Sequence, residues 1–183
     1  MKVWFWLLPP FLLAVALDGL TKIWAERSLE PYQPVPVIGE FFRLTLGYNT
    51  GVAFGLFANG GMWPLVVTGI VILGLMFWLV NALRNGQFPQ IAAWPMGFLL
   101  GGAIANFVDR LLDGHVTDFL DVGLGPMRWP TFNLADSFIV VSLFTLMLLT
   151  LKQDKAQPVP PANQPDESSS GREFSQPGDQ PID

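Results

Sequence analysis

The sequence predicts an all-α membrane protein, a bundle of four transmembrane helices with a small β-sheet or loop region outside the membrane. Two observations predict this class. Of the 183 residues 51% are apolar, with seven Trp and fifteen Phe, and the mean hydropathy is +0.41; these values exceed those of ordinary soluble domains. Separate stretches are also long and apolar enough to cross a hydrocarbon core, which takes about 20 helical residues.

The predicted spans are residues 3–20, 62–83, 91–112 and 132–151. The first one resembles a secretory signal, because Lys2 precedes an apolar run that ends in Ala14-Val15-Ala16. A polar triplet directly after that mock cleavage site is meaningful only if the segment is retained, so we expect a helix of the bundle. The third span carries Gly97, Gly101 and Ala105 at intervals of four, which predicts close packing against a neighbouring helix.

The two long connections, roughly residues 21–61 and 113–131, are not plain linkers. Phe42 to Leu46 alternates as a half-buried strand does, and Asn49-Thr50-Gly51 has the composition of a turn. A small sheet at the membrane surface is expected, with a loop lying on the bundle as the alternative. Its aromatic residues are suited to the interfacial level, and these are Trp24, Tyr32, Phe41, Phe57 and Trp129.

Residues 152–183 differ in composition from the rest of the chain. They are rich in Pro, Gln, Ser and acids, with six acids against three bases, whereas residues 1–151 hold nine acids against seven bases. Such a segment cannot bury a core, so we predict a membrane domain over residues 1–151 and a disordered polar tail over residues 152–183. No basic patch points to nucleic acid.

Polar residues interrupt the spans in three similar triplets. In an alternating four-span bundle the end of span one, the end of span three and the start of span four emerge on the same side of the membrane. Members at i, i+3 and i+4 share one helical face, and charged groups at membrane depth mark functional sites. The triplets are Asp18, Thr21 and Lys22; Asn106, Asp109 and Arg110; and Asn133, Asp136 and Ser137.

A further pair of acids lies in the second long connection, where residues 116–122 also read as extended. The period of two in a strand sends Asp118 and Asp121 to opposite faces. At most one of them can share a site with Asp136, and the spacing alone leaves open which one.

The available side chains restrict the chemistry. The chain has no cysteine, and its single histidine is His115. A thiol nucleophile is therefore excluded, and the nitrogen and sulfur ligands of an ordinary zinc site are missing. Two carboxylates that meet at a wet membrane surface satisfy the requirement of an aspartyl protease, since one of a close pair holds a proton near neutral pH. In the structural alternative, Asp18 pairs with Lys22 and Asp109 with Arg110, and both pairs lock helix ends.

Two other function classes are consistent with charged residues in spans. A small ion-coupled transporter or channel subunit predicts polar residues at mid-membrane or on both sides, whereas the strongest ones here cluster at one side. The hypothesis of a scaffolding protein with ion-paired helix ends explains Asp18 and Asp109. It assigns no role to Asp118 and Asp136.

Taken together, the motifs resemble, in order, those of lipoprotein signal peptidase, also called signal peptidase II. Each motif is short, but their order over residues 3–151 is highly specific. The matching segments are Asp18-Gly19-Leu20-Thr21-Lys22, Asn49-Thr50-Gly51-Val52-Ala53-Phe54, Gly101-Gly102-Ala103-Ile104-Ala105-Asn106-Phe107-Val108-Asp109-Arg110, Val116-Thr117-Asp118-Phe119 and Phe132-Asn133-Leu134-Ala135-Asp136-Ser137.

The resemblance implies an aspartyl endopeptidase that removes the signal peptide from diacylglyceryl-modified bacterial prolipoproteins, just before the lipidated cysteine. It implies that Asp118 and Asp136 are the catalytic pair and that no metal or organic cofactor is required. It also implies that other polar residues line, brace or support the site, namely Asn49, Asn106, Asp109, Arg110, Asn133, Asp18 and Lys22.

The resemblance further implies a location. Bases are divided five against five between the two sides of the predicted bundle, so the positive-inside rule is silent. The family implies a multi-pass protein of the bacterial inner membrane, with cytoplasmic termini and an active site near the outer, periplasmic face. The expected partners are prolipoprotein signal peptides and membrane lipids, with no nucleic acid, and we expect a monomer.

Overall fold

A computed structural model describes residues 2–52, 56, 61–85 and 90–156. Each of its four long helices contains a segment long and apolar enough to cross a membrane, which confirms the predicted fold class. The helices are α1 (Lys2–Ser28), α2 (Trp63–Arg84), α3 (Ala93–Asp113) and α4 (Leu134–Ala156), and a 3-10 turn, Gln90–Ala92, precedes α3.

The end of the first span was placed too early. The prediction ended it at residue 20, but α1 continues to Ser28. Lys22 and Ala25 are buried in this extension, at 4% and 0% exposure, so the bundle and the sheet cover residues that look like a loop in the sequence. Helix α4 likewise runs to Ala156, past the predicted end at residue 151. Residues 157–183 of the predicted tail lie outside the described residues.

Helix α3 is the centre of the bundle. In its membrane-spanning window 61% of the residues are buried, compared with 22% or less in the other three helices. Gly101 faces α1 so closely that an added Cβ would lie 2.6 Å from the carbonyl oxygen of Phe11 and 2.8 Å from the Cβ of Ala14. The predicted packing role of the small residues is therefore confirmed, and the segment that imitates a signal sequence serves as a helix of the bundle. Gly102 makes the equivalent close approach to Ala135 of α4.

The two long connections form one antiparallel sheet, whose strands are, in spatial order, β1 (Val35–Ile38), β2 (Phe42–Asn49), β3 (Val116–Leu124) and β4 (Met127–Arg128). This confirms the sheet over the plain loop. Strands β2 and β3 pair with Gly47 opposite Asp118 and Asn49 opposite Val116, so the first connection holds the strand that bears the acids.

A small apolar cluster joins the sheet to the bundle. Ala25, Leu46 and Phe119 are buried together, and the ring of Trp24 meets Phe119 edge to face at 6.4 Å between centroids. Trp24 therefore lies on α1 rather than in the loop where it was expected. Of the other predicted interfacial aromatics, Tyr32, Phe41 and Trp129 are mostly exposed, and Phe57 lies outside the described residues.

Candidate active site

Lys22 joins the first two polar triplets. Its Nζ forms an ion pair with Asp18 of the same helix, lies 2.6 Å from Asp109 Oδ2 and donates to Asn106 Oδ1 at 2.9 Å. The side chains of Lys22 and Asp18 are 5% and 1% exposed. A buried ammonium shared by these acceptors links α1 to α3 and compensates charges that are costly to bury alone.

The third triplet caps the start of α4. The backbone N–H of Asp136 donates to Asn133 Oδ1 at 2.9 Å, and the N–H of Asn133 donates to Asp136 Oδ2 at 3.3 Å. This reciprocal arrangement is a capping box built from Asn and Asp. Asp18 of α1 accepts a further N–H of this turn, from Ala135 at 2.8 Å, so the first triplet also positions the third.

Two buried amides connect the acids Asp118 and Asp136. Asn133 Nδ2 donates to Asp118 Oδ1 at 2.8 Å and to Asn106 Oδ1 at 3.2 Å. Asn106 Nδ2 donates to Asp136 Oδ1 at 2.8 Å. Residues of all three triplets and Asp118 thus form one continuous network at a single end of the bundle, which is where the spacing of the triplets predicts them.

The structure decides between the two acids of β3. Asp118 points to Asn133, whereas Asp121 forms ion pairs with Arg43 at 2.9 Å and Arg128 at 2.6 Å. Burial raises the pKa of Asp121, but hydrogen bonds from Arg128, Thr45 and Arg43 outweigh it and hold the pKa of this carboxyl below its ordinary value. Asp121 is therefore an ionised brace of the sheet, and Asp118 is the acid that enters the network.

The environment of Asp118 favours its protonated form. Burial, followed by the negative charge of Asp136, raises the pKa of Asp118 to about 7. Hydrogen bonds from Asn133 and Asn49 and the charge of Lys22 act in the opposite direction and are weaker. Asp118 is 2% exposed, so water screens the two carboxylates from each other less than it does at an open surface.

The expected pairing of Asp109 with Arg110 is wrong. Asp109 pairs with Lys22 of α1, whereas Arg110 Nη2 donates to the carbonyl oxygen of Gly51 at 2.7 Å and Nη1 donates to that of Asn106 at 3.1 Å. Successive helical residues point about 100° apart, which separates the two partners.

The contact of Arg110 with Gly51 attaches the first connection to α3. Asn49 Oδ1 accepts the N–H of Gly51 at 2.9 Å, which confirms the turn predicted there, and the Asn49 side chain is one of the groups that lower the pKa of Asp118. Val52 is the last residue of this motif that is described before Ala53 and Phe54, which lie outside the described residues.

Several polar partners carry no signal in the predicted motifs. These are Arg43 and Arg128 of the sheet and Glu26 of α1, whose Oε1 accepts a hydrogen bond from Thr117 Oγ1 at 2.6 Å. Glu26 follows Lys22 at the helical interval of four and would have been found if α1 had been extended. The partners of Arg43 and Arg128 come from other strands, and no local pattern indicates them.

The distribution of buried charge separates the function classes. Among the residues that the structure describes, the buried charged side chains are Asp18, Lys22, Asp118 and Asp121, and all lie at the end of the bundle that carries the sheet. A transporter predicts such groups at mid-membrane or on both sides. The described arrangement is that of a site at one surface.

Comparisons with known proteins agree with this architecture. A family model described as signal peptidase (SPase) II matches residues 11–152. A lipoprotein signal peptidase of Xylella fastidiosa (strain M12) is 41% identical over 151 residues, which cover 80% of this chain and 89% of the relative. One of Gloeobacter violaceus is 40% identical over 157 residues, 86% of this chain and 87% of the relative.

Solved structures share the fold. A bacterial membrane enzyme determined by the in meso method at 2.3 Å resolution superposes with a TM-score of 0.69 at 23% identity, over 84% of this chain and 92% of the other. A second bacterial membrane enzyme, at 1.9 Å resolution, gives a TM-score of 0.66 at 26% identity, over 78% and 90% of the two chains.

Proposed function

This chain belongs to the signal peptidase II family, and from that membership we propose that it removes the signal peptide from diacylglyceryl-modified bacterial prolipoproteins as a membrane aspartyl endopeptidase. Cleavage falls just before the lipidated cysteine. The observation that carries the proposal is the pair of carboxylates, Asp118 and Asp136, held through Asn133 and Asn106 at one end of a multi-pass membrane bundle.

The proposed chemistry uses the two carboxylates together. Two close carboxyl groups do not both ionise near neutral pH, so the pair shares one proton. The ionised member takes a proton from water as the water oxygen bonds to the scissile carbonyl carbon, and the protonated member donates to the carbonyl oxygen. As the tetrahedral intermediate collapses and the C–N bond breaks, one of its hydroxyl groups returns a proton to the ionised member, and the protonated member donates to the leaving nitrogen. The pair again holds one proton. Base and acid are not assigned individually, because the titration belongs to both.

The remaining polar residues hold this pair in position. Asn133 and Asn106 donate to the carboxylates, and Asn49 of β2 favours the ionised form of Asp118. Asp18, Lys22 and Asp109 support these amides from α1 and α3, because Lys22 binds Asn106 directly. Arg110 fixes the turn that follows Asn49. These roles require no metal or organic cofactor.

The substrate class fits a site of this kind. A signal peptide is an apolar helix that already lies in the bilayer, and each buried methylene of a diacylglyceryl group adds about 0.8 kcal/mol of membrane affinity. Substrate therefore reaches the enzyme laterally from the lipid. We place the protein in the bacterial inner membrane as a monomer, with cytoplasmic termini and the carboxylate pair at the periplasmic face.

The proposal is tested with purified protein and a prolipoprotein supplied with and without its diacylglyceryl group. We expect cleavage of the lipidated form at an unchanged rate in excess EDTA, with mass spectrometry placing the new N-terminus at the lipidated cysteine. Equal cleavage of both forms, a cut elsewhere or a loss of activity with EDTA would contradict the proposal.

The pH dependence of the rate follows from the shared proton. Because the pKa of Asp118 is raised to about 7, the proton of the pair is retained below that pH and lost above it. We expect kcat to fall by about tenfold per pH unit on the alkaline side once the pair has ionised fully. A pH–rate profile measured on lipidated substrate in detergent checks this; a rate that still rises at pH 9 would rule out a protonated partner of this kind.

A further inference from the structure

We propose that Glu26 is a positioning residue for this reaction, acting through Thr117 on the strand that presents Asp118. The inference rests on the proposed function, since it concerns the geometry of the same carboxylate pair. It starts from the 2.6 Å hydrogen bond that Thr117 Oγ1 donates to Glu26 Oε1. This distance lies at the short end of the range for hydrogen bonds between two oxygen atoms.

The bond joins elements that are far apart in the chain. Glu26 lies in the last turns of α1, and Thr117 lies in β3 directly before Asp118. The hydroxyl belongs to a residue that is 4% exposed, where a lost partner leaves a buried polar group unsatisfied. Glu26 is exposed as a whole, so water can solvate its carboxylate when the bond is removed.

The residues on both sides of Asp118 contact α1. Thr117 and Phe119 share a face of the strand because side chains alternate, and Phe119 packs on Trp24 and Ala25 of α1. The intervening Asp118 points to Asn133. Helix α1 therefore contacts the strand on both sides of Asp118, through the hydrogen bond to Thr117 and the apolar packing on Phe119. The two contacts together fix the rotation of the strand about its own axis at Asp118.

The same short segment is also tied to the start of α4. Asn133 Nδ2 contacts the carbonyl oxygen of Thr117 at 3.4 Å, and the N–H of Phe119 donates to the carbonyl oxygen of Phe132 at 3.0 Å. A displacement of Thr117 consequently moves the backbone that sets the distance from Asp118 to Asn133. Glu26 does not contact the carboxylate pair itself, and its effect passes through this strand.

A change in strand position has a characteristic effect on titration. Asp136 of α4, Lys22 of α1 and Arg110 of α3 are the charged groups that act on Asp118. If β3 loosens, Asp118 gains water and moves relative to Asp136, so its pKa falls toward the ordinary value. The alkaline limb of the pH–rate profile then moves to lower pH, which a contact that only stabilises the fold does not cause.

The test compares Glu26→Ala and Thr117→Val with the wild type on lipidated prolipoprotein. Each variant is expected to lower kcat by about tenfold, less than the roughly 10²-fold that a misplacement of about 1 Å can produce. KM should be unchanged, and the alkaline limb of the pH–rate profile should shift to lower pH. The double variant should lose no more than either single one, because both remove one contact. Glu26→Gln and Thr117→Ser keep an acceptor and a hydroxyl and should restore both kcat and the limb.

Matched controls use the same substitutions at sites without this contact. Glu30→Ala removes an exposed acid four residues later, and Thr145→Val removes a hydroxyl that bonds only within α4, to Val141; both should behave as wild type. Three outcomes would overturn the inference. In the first, the losses of kcat in the two single variants multiply in the double variant. In the second and third, kcat is unchanged, or the active fraction of enzyme falls while the alkaline limb of the pH–rate profile stays where it is. Failure of the wild type to cleave would instead refute the proposed function, and this inference with it.

Discussion

Replacing Asp118 or Asp136 with asparagine is expected to abolish signal-peptide cleavage, with a fall in kcat of about 10²–10⁴-fold for either change. Asparagine has nearly the same shape, and its single side-chain oxygen can still accept from the Asn133 side chain at position 118 and from the Asn106 side chain at position 136. It neither takes a proton from water nor holds one for the carbonyl oxygen. The loss should therefore appear in kcat, with substrate binding retained, when cleavage of a lipidated prolipoprotein is followed over time.

Asp121→Asn is the matched control for this experiment. It removes a carboxylate three residues from Asp118 on the same strand, but one that faces Arg43 and Arg128. We expect a lower unfolding temperature, because two arginines lose their partner, and a kcat within about tenfold of the wild type. If Asp121→Asn were as inactive as Asp118→Asn, or if either dyad variant stayed fully active, the assignment of the pair would be wrong.

The second large effect is expected for Lys22→Met. This change leaves Asp18 without its ion-pair partner at 1% side-chain exposure and removes the cation next to Asp109. Breaking a buried ion pair from one side typically destabilises a protein by about 3–5 kcal/mol, because the remaining charge is uncompensated. Thermal or denaturant unfolding in detergent, followed by near-UV circular dichroism, measures the loss.

Two further variants separate lost charge compensation from a general effect of substitution. Arg27→Met changes an exposed base on the same helix and should alter the free energy of unfolding by no more than about 0.5 kcal/mol. Asp18→Asn added to Lys22→Met should recover part of the loss, because it removes the stranded charge and keeps an acceptor for the N–H of Ala135. A loss below about 1 kcal/mol for Lys22→Met would show that the network is already neutral without the ammonium.

Local sequence patterns, namely long apolar runs and strand alternation, account for what could be predicted about the fold. Apolar runs of spanning length located α2 and α3 to within a few residues, and the alternation from Phe42 to Leu46 located β2. The end of α1 was missed because residues 21–28 lose the continuous apolar character of the span. Their helical state depends on burial of Lys22 and Ala25 against α3 and the sheet, and such contacts leave no pattern in neighbouring residues.

The candidate site divides in the same way. The spacing of the triplets predicted that they share helical faces at one end of the bundle, and the observed contacts among Lys22, Asn106, Asn133 and Asp136 agree. The spacing did not indicate that Asp109 forms its ion pair with Lys22 instead of Arg110. A helical interval specifies the angle between two side chains on one element, whereas the choice of partner depends on which element packs against that face.

The sequence by itself determined four apolar spans, a surface sheet and the opposite orientation of Asp118 and Asp121. The spans follow from the length of their apolar runs, and the sheet and the two orientations follow from the period of two in a strand. Only the tertiary structure decided that Asp118 is the acid that meets Asn133, that α1 reaches Thr117 through Glu26, and that α3 is the central helix. Strand alternation alone allows either face of β3 to point toward the bundle. The packing of Phe119 on Trp24 and Ala25 selects one of these two orientations.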